Sequence, residues 1–367
     1  MRISRLELRD FRSYPLWEIE PDSALTVLVG PNAVGKTNVI EAIQLVATGS
    51  SFRNPRWEEV VAWGSKGAVV SLVAEGEGLH ADVELKVDDT GRRAWRVGGV
   101  TKRRAADATR FVPVVAFTPD DLALVKGPPD QRRSTLDTLG EQLSATYGAL
   151  KRDYARVIRQ RNAVLKDESP VSSLEPWDEQ LIGLGARLHV HRRRLARRVV
   201  EAAAPIYGQL ANNETLDMRM CDRCGVGSND LSHEVEVARV ESGLREELAR
   251  RRSDERTRRV SLVGPHRDDL TFLLGGRDAR AYASQGQQRT IALAWKWAEV
   301  AIVTEMLKRR PVLLLDDVMS ELDEVRRAAL TDLVQRDIQT FITTTTTGYF
   351  DPALLREARV VTLKGVR

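Results

Sequence analysis

Gly30-Pro31-Asn32-Ala33-Val34-Gly35-Lys36-Thr37 decides the fold of this 367-residue chain. The pattern is a complete G-x-x-x-x-G-K-[ST], in which glycines let backbone N–H groups wrap phosphate oxygens at a helix N-terminus. Just before it, Leu25-Thr26-Val27-Leu28-Val29 reads as a buried strand. Just after it, Val39, Ile40, Ala42, Ile43 and Val46 recur at helical spacing. The segment from Gly30 to Thr37 is therefore the turn from strand to helix. Lys36 reaches the β- and γ-phosphates of a nucleotide, the Thr37 hydroxyl holds Mg²⁺, and the helix dipole adds positive field there.

A second element lies far downstream. Pro311-Val312-Leu313-Leu314-Leu315-Asp316-Asp317 runs four apolar residues into two carboxylates. In an arbitrary sequence that is a solvated turn, but beside a phosphate loop it reads as Walker B. Asp316, at the end of a buried parallel strand, is placed for the Mg²⁺, and Asp317 to orient or deprotonate the attacking water. Between the two, Ala283-Ser284-Gln285-Gly286-Gln287-Gln288-Arg289 precedes a helix containing Ile291, Ala292, Leu293, Ala294 and Trp297. It matches the ABC signature apart from Gln285. Read alone it is a loop and N-cap, whereas as a signature Ser284, Gly286 and Gln287 meet the γ-phosphate held by a second subunit. Ser320-Glu321-Leu322-Asp323 then fills the place of the loop that crosses a dimer seam.

Outward from these motifs, Ala68 to Val97 carries alternating apolar residues between Gly and Asp turns, as hairpins do. From Asp121 to Arg259 the chain is rich in Arg, Leu, Ala and Glu, with helical stretches at Ser144 to Leu165 and Glu179 to Leu210. Pro170, Pro176 and Pro205 interrupt it, so long coiled-coil arms are not expected. After Val260, strand and helix alternate again. The predicted architecture is an α/β P-loop head of ABC/SMC type, mixed sheet with helices, built from residues 1–120 and 260–367, with a compact helical lobe over 121–259. No internal repeat is present.

Composition bounds the function only loosely. Lys plus Arg is 56 against 52 for Asp plus Glu, a net charge of +4, so attraction to polyanions must come from local patches. Two cysteines make no disulfide framework, and neither a signal-peptide core nor a membrane-length apolar run is present. A soluble, cytoplasmic protein is expected.

With those residues in view, the chain resembles the RecF family. The resemblance rests on Leu8-Arg9-Asp10-Phe11-Arg12-Ser13-Tyr14, the phosphate loop with Asn38 after it, Phe52-Arg53, the block from Pro119 to Arg132-Arg133, Gly264-Pro265-His266-Arg267-Asp268-Asp269, Ser284 to Arg289 and the paired aspartates. It implies ATP-dependent homodimerisation on DNA, weak ATPase activity, and work with RecO and RecR to load RecA at gaps or single/double-strand junctions. It further implies that Arg12 lies near the phosphates and that Pro119 to Arg133 links the lobes. Nucleotide contacts are thus expected from Arg12, Gly30, Pro31, Asn32, Ala33, Val34, Gly35, Lys36, Thr37, Asn38, Ser284, Gly286 and Gln287. Catalysis is expected from Lys36, Asp316 and Asp317, and Mg²⁺ ligation from Thr37 and Asp316. No DNA-contacting residue is assigned.

The chain departs from the ABC pattern at two places. Threonines follow Ile342 where a switch histidine is usual, with Thr344 or Thr345 nearest that place, and Asp317 stands where a longer glutamate is common. Slow hydrolysis is expected. Other features have plain readings. Cys221 and Cys224 are half a zinc pattern, with His233 no substitute for the missing pair. His189 and His191 do not share a helix face. The runs at His191 to Arg194 with Arg197-Arg198, and at Arg250 to Arg252, could grip phosphates but are more often solvated faces. Trp295 and Trp297 suit packing better than base stacking. Two other functions compete. A transporter ATPase subunit would need a far shorter interval between phosphate loop and signature. A nuclease-coupled defence ATPase would need a further acidic cluster, and the chain ends soon after Thr347.

Overall fold

The computed structural model describes residues 1–21, 24–76, 78–102, 111–167, 170–211, 214–220, 233–334 and 338–364. The pair Cys221 and Cys224 lies outside them. The chain divides into two compact units, one of residues 1–123 and 289–367, the other of residues 124–288.

In the first unit, strands β1 (Arg2–Phe11), β2 (Tyr14–Ile19), β4 (Gly67–Gly76), β5 (Leu79–Asp88), β6 (Arg93–Val97) and β7 (Val100–Lys102) make an antiparallel sheet in the order 2-1-4-5-6-7. Along β4, residues alternate between buried and partly exposed, as a sheet with one covered face requires. A second sheet joins β3 (Leu25–Val29), β8 (Val114–Phe117), β12 (Val312–Asp316), β13 (Thr340–Thr344) and β14 (Arg359–Thr362) in the order 14-3-13-12-8, all parallel. Strands β12 and β13 are buried at every residue, the mark of a parallel strand covered on both faces.

Helix α1 (Lys36–Thr48) packs against strands of both sheets. That explains why Val39, Ile40, Ala42, Ile43, Leu45 and Val46 cover its whole circumference. Gly49, in the left-handed region at φ 71°, ends it by donating to Leu45 O.

The second unit holds α2 (Pro129–Leu143), α3 (Ala145–Lys166), α4 (Glu175–Leu210), α5 (His233–Arg258) and the short α6 (Ala279–Tyr282), with strands β9 (Leu216–Met220), β10 (Leu270–Leu274) and β11 (Arg277–Asp278). Helices α3, α4 and α5 close a core around Tyr154, Leu181, Ala186, Leu188, Val240 and Leu244. One ionic network stitches the same three helices. Arg161, 1% exposed, donates to Asp178 Oδ1 at 2.8 Å, Glu255 Oε2 at 2.6 Å and Ser261 Oγ at 2.9 Å.

Two expectations change here. The helical lobe does not give way to the head at residue 260: β10 pairs with β9, so the chain stays in the second unit through Gln288. Strand β9 went unseen because it is a five-residue piece behind a long helix, and its partner lies fifty-odd residues away. Nor do all three prolines interrupt. Pro176 sits in the first turn of α4, where its missing N–H costs nothing, and Pro205 lies inside that helix. Buried Val199, Ala203 and Tyr207 hold the last turns in place. Even so, the longest helix among the described residues has 36 residues, and no long coiled coil forms.

The division of the chain falls after the first turn of helix α7 (Gln285–Leu307). Helices α8 (Glu324–Val334) and α9 (Pro352–Glu357) complete the first unit.

Candidate functional site

Strand β3 delivers the chain to the phosphate loop, and the loop's path excludes side chains at two points. A Cβ on Gly30 would lie 2.7 Å from Leu363 O; one on Gly35 would meet Ser13 Oγ at 2.8 Å and Tyr14 Oη at 2.9 Å. Gly35 also takes φ 101°, and Ala33 adopts a left-handed φ of 64° despite its methyl group. Gly35 caps α1 without any side-chain hydrogen bond, so the helix N-terminus is left for a ligand. Lys36 is buried and folds its Nζ onto Gly30 O at 2.6 Å and Pro31 O at 2.8 Å. Among the described residues its third proton is uncommitted.

The end of β12 meets this loop. Asp316 Oδ1 accepts from Thr37 Oγ1 at 2.9 Å and from Thr343 Oγ1 at 2.7 Å. Its neighbour Asp317 is turned into the left-handed region, φ 51°, and its N–H donates to Thr343 Oγ1 at 2.9 Å. The Oδ1 of Asp317 is buried with no hydrogen-bond partner among the described residues. Burial raises the carboxyl above its ordinary range; Lys36 opposes the rise, and the negative charges of Asp316 and Glu321 reinforce it. Such an oxygen is costly to keep unless something binds it. Hard oxygen donors from Thr37 and Asp316, with an open carboxylate beside them, fit a small divalent cation that shares its shell with phosphates and water. Among the described residues there is no cluster of three His, Cys, Asp or Glu that could cage a metal unaided.

Thr343 is the residue that reading the sequence missed. One hydroxyl bonds both Walker B residues, whereas Thr344 Oγ1 turns away to Thr346 O at 2.8 Å and Thr345 is exposed. Glu41 was missed too. Wholly buried in α1, it accepts from Arg12 Nη2 at 2.8 Å, Arg12 Nε at 3.1 Å, Arg53 Nη1 at 3.1 Å and Ser51 Oγ at 2.8 Å. Arg12 Nη1 goes to Glu59 O. The structure thus places Arg12 on α1, one turn past the loop. Asn38 joins the same web through Ser13 Oγ at 3.0 Å and Arg53 Nη1 at 2.8 Å. A lone carboxylate among the apolar residues Val39 to Ile43 of the helix was the available signal.

The signature segment folds as a capping box. Ser284 Oγ accepts from Gln287 N at 3.2 Å and Gln287 Oε1 accepts from Ser284 N at 2.8 Å, while Gln287 Nε2 donates to Glu214. Ser284 remains exposed at the head of α7. Further on, Ser320 Oγ donates to Asp317 O at 2.8 Å and Glu321 pairs with Arg289 at 3.2 Å, so the segment from Ser320 to Asp323 is tied directly to Walker B.

The remaining candidates resolve as structure. Trp295 is buried and its Nε1 donates to Glu299 at 2.6 Å. His189 bonds Asp268 at 3.1 Å, and His191 stands edge-on to Tyr147. Arg192 is buried in a two-point pair with Asp137, Arg194 pairs with Glu236, Arg250 and Arg251 with Glu247, and Arg252 with Asp178. Those arginines pair with carboxylates of their own unit, some of them shared: Glu247 serves both Arg250 and Arg251, and Asp178 serves both Arg252 and Arg161. No helix among the described residues is long and apolar enough to cross a membrane.

A parallel sheet that feeds a phosphate loop, paired aspartates on a neighbouring strand, a serine-capped helix and a compact helical second unit define an ABC/SMC-type ATPase head. Comparison with known proteins specifies it further. Residues 2–365 match the RecF/RecN/SMC N-terminal domain family. The DNA replication and repair protein RecF of Symbiobacterium thermophilum is 41% identical over 94% of this chain and 92% of its own length. RecF of a Synechococcus strain is 37% identical over 100% and 97%. A solved structure of the recombination mediator RecF with ATPrS, in the RecFOR pathway, superposes with a TM-score of 0.88 at 27% identity, covering 95% of this chain and 94% of that one. An SMC head bound to the C-terminal winged-helix domain of ScpA, at 15% identity and a TM-score of 0.54 over 98% and 93%, shares the fold. The chain belongs to the RecF family of DNA replication and repair proteins.

Proposed function

We propose that this protein is an ATP-operated clamp on DNA. ATP lies along Gly30 to Asn38, with its phosphates on the open N-terminus of α1 and on Lys36 Nζ. Mg²⁺, held by Thr37 and Asp316, supplies electrophilic stabilisation of the phosphoryl oxygens. Asp317 holds the attacking water, and Arg12 supports the loop from behind through Glu41. A second copy brings Ser284, Gly286 and Gln287 to the γ-phosphate, so that nucleotide binding closes a homodimer. The observation that carries this reading is the bond from Thr37 to Asp316 beside an Asp317 oxygen that has no partner. Two oxygens are ready for a cation, and one is ready for the water that attacks.

Hydrolysis is slow in this reading. Asp317 is short and reaches the attacking water less well than a glutamate would, and neither threonine nearest the switch position offers an imidazole. The relatives' role in DNA replication and repair supports a DNA partner, held mainly through phosphates because no base-reading module is seen among the described residues. Gapped DNA or single/double-strand junctions, RecO and RecR as partners, RecA as the protein loaded, and the cytoplasm as the setting complete the proposal. The test is light scattering and DNA binding with and without ATP. Lys36→Ala should lose nucleotide affinity by about a hundredfold or more. Ser284→Arg should bind ATP normally and remain monomeric; a normal dimer from that variant would sink the composite site.

A further inference from the structure

Two sequence motifs that the nucleotide site leaves unused converge inside the second unit. Arg132 makes a two-point pair with Asp269, at 2.7 and 3.0 Å, and also donates to Gly127 O at 2.6 Å. Arg133, beside it, donates to Asp268 O at 2.5 Å. Arg192 donates to Pro265 O, and Tyr154 Oη bonds His266 Nδ1 at 2.7 Å. The block ending at Arg132-Arg133 and the segment from Gly264 to Asp269 therefore build one wall.

That wall borders a cavity of about 420 Å³ between α2, α3 and α4. Its charges do not balance. Asp137 is taken by Arg192, and Lys151 is taken by Glu141 at 2.7 Å. Left over are Arg133 and Arg159, which make no ion pair among the described residues, against a single exposed Asp130 in the first turn of α2. Arg133 is the more telling of the two. Half-buried, it spends one nitrogen on a backbone carbonyl, and its Nε and Nη2 have no partner among the described residues. Burial, with Arg192 nearby, lowers its pKa, and the carboxylates of Asp130, Asp268 and Asp269 offset that only in part. The Ser134 hydroxyl lines the same cavity, and α2 begins there without a side-chain cap. His266 is held neutral by burial, its pKa pushed down to about 4, and adds no charge at pH 7.

We infer that this cavity is an oxyanion site for a DNA backbone phosphate, with Arg133 and Arg159 as the gripping cations and Ser134 as a neutral donor. A guanidinium fork with two idle N–H groups matches a phosphodiester's two free oxygens. Several arginines of the runs at 191–198 and 250–252, which look more like DNA grips, are already engaged with Glu236, Glu247, Asp178 and Asp137. This inference rests on the DNA-binding reading above.

The test uses the full chain with ATP. DNA affinity is measured across a salt series for the parent, Arg133→Gln, Arg159→Gln and a control cation in the other unit, Lys308→Gln. The parent should bind DNA with a steep salt dependence. Each cavity variant should lower the slope of log affinity against log salt by about one, while the control leaves it unchanged. ATP-dependent dimerisation by light scattering should be the same in all four. Arg159 is exposed, so its variant keeps the test decisive even if Arg133→Gln folds poorly. Unaltered affinity and slope in Arg159→Gln and in folded Arg133→Gln overturn the inference. So does inorganic phosphate that raises the melting temperature of the parent but not of the variants while DNA binding is unmoved, since the cavity then serves a free anion. A parent that binds no DNA at all defeats the functional reading instead.

Discussion

The nucleotide edge of the first unit and the ionic interior of the second treat charge in opposite ways. At the phosphate loop, groups are left open: an uncapped helix, a lysine proton, an Asp317 oxygen. In the helical unit the groups close on partners: Arg161 on Asp178, Glu255 and Ser261, and Arg192 on Asp137. Open valences inside a protein are costly and persist where a ligand completes them; closed ones hold helices together. The contrast separates function from architecture in a chain where both use the same residue types.

The sharpest way to break it is Arg161→Ala. That leaves Asp178 and Glu255 buried without their shared cation, and we expect about 3–5 kcal/mol of stability to be lost, read by denaturant melts. A variant as stable as the parent would deny the network its structural role. Next comes pH. His266 is neutral in the fold at about 4 against an ordinary 6.5, because it is buried. The unfolded chain therefore takes up its proton first as pH falls. Stability present above pH 6.5 should drain between 6.5 and 4, by on the order of 3 kcal/mol in all. His266→Gln should flatten that part of the profile, though at some cost in packing against Tyr154.

Thr343→Val tests the open side. It removes one hydroxyl from both Walker B residues and should cost about 1–3 kcal/mol, with weaker Mg²⁺-dependent nucleotide binding by titration calorimetry. A change in stability with nucleotide binding intact would make Thr343 a purely structural strut. The smallest effect belongs to Gln287→Ala, which breaks half of the capping box. It should destabilise by about 0.5–1 kcal/mol while the Ser284 hydroxyl stays at the helix head.

Much of the first unit was legible because its signals are local. A phosphate loop, the strand before it and the helix after it lie within a few dozen residues, and their apolar periodicity is unmistakable. Asp316 and Asp317 were readable for the same reason. Thr343, Glu41 and Ser13 were not, since each acts through partners from other elements, and no spacing rule joins Thr343 to Thr37. The helical unit was legible as helix but not as a domain with a sheet, because β9 pairs with β10 across the intervening α5, a contact far apart in sequence. Its arginine runs looked like a surface and proved to be largely spoken for.

The sequence by itself therefore determined the class of fold and marked the phosphate-loop motif and the paired aspartates, since these depend on neighbours a turn or a strand apart. Only the tertiary structure decided which charges are satisfied and which are left waiting. Whether an arginine meets a carboxylate depends on contacts between elements far apart in the chain, and the energy of an ion is set by its surroundings, not by its name.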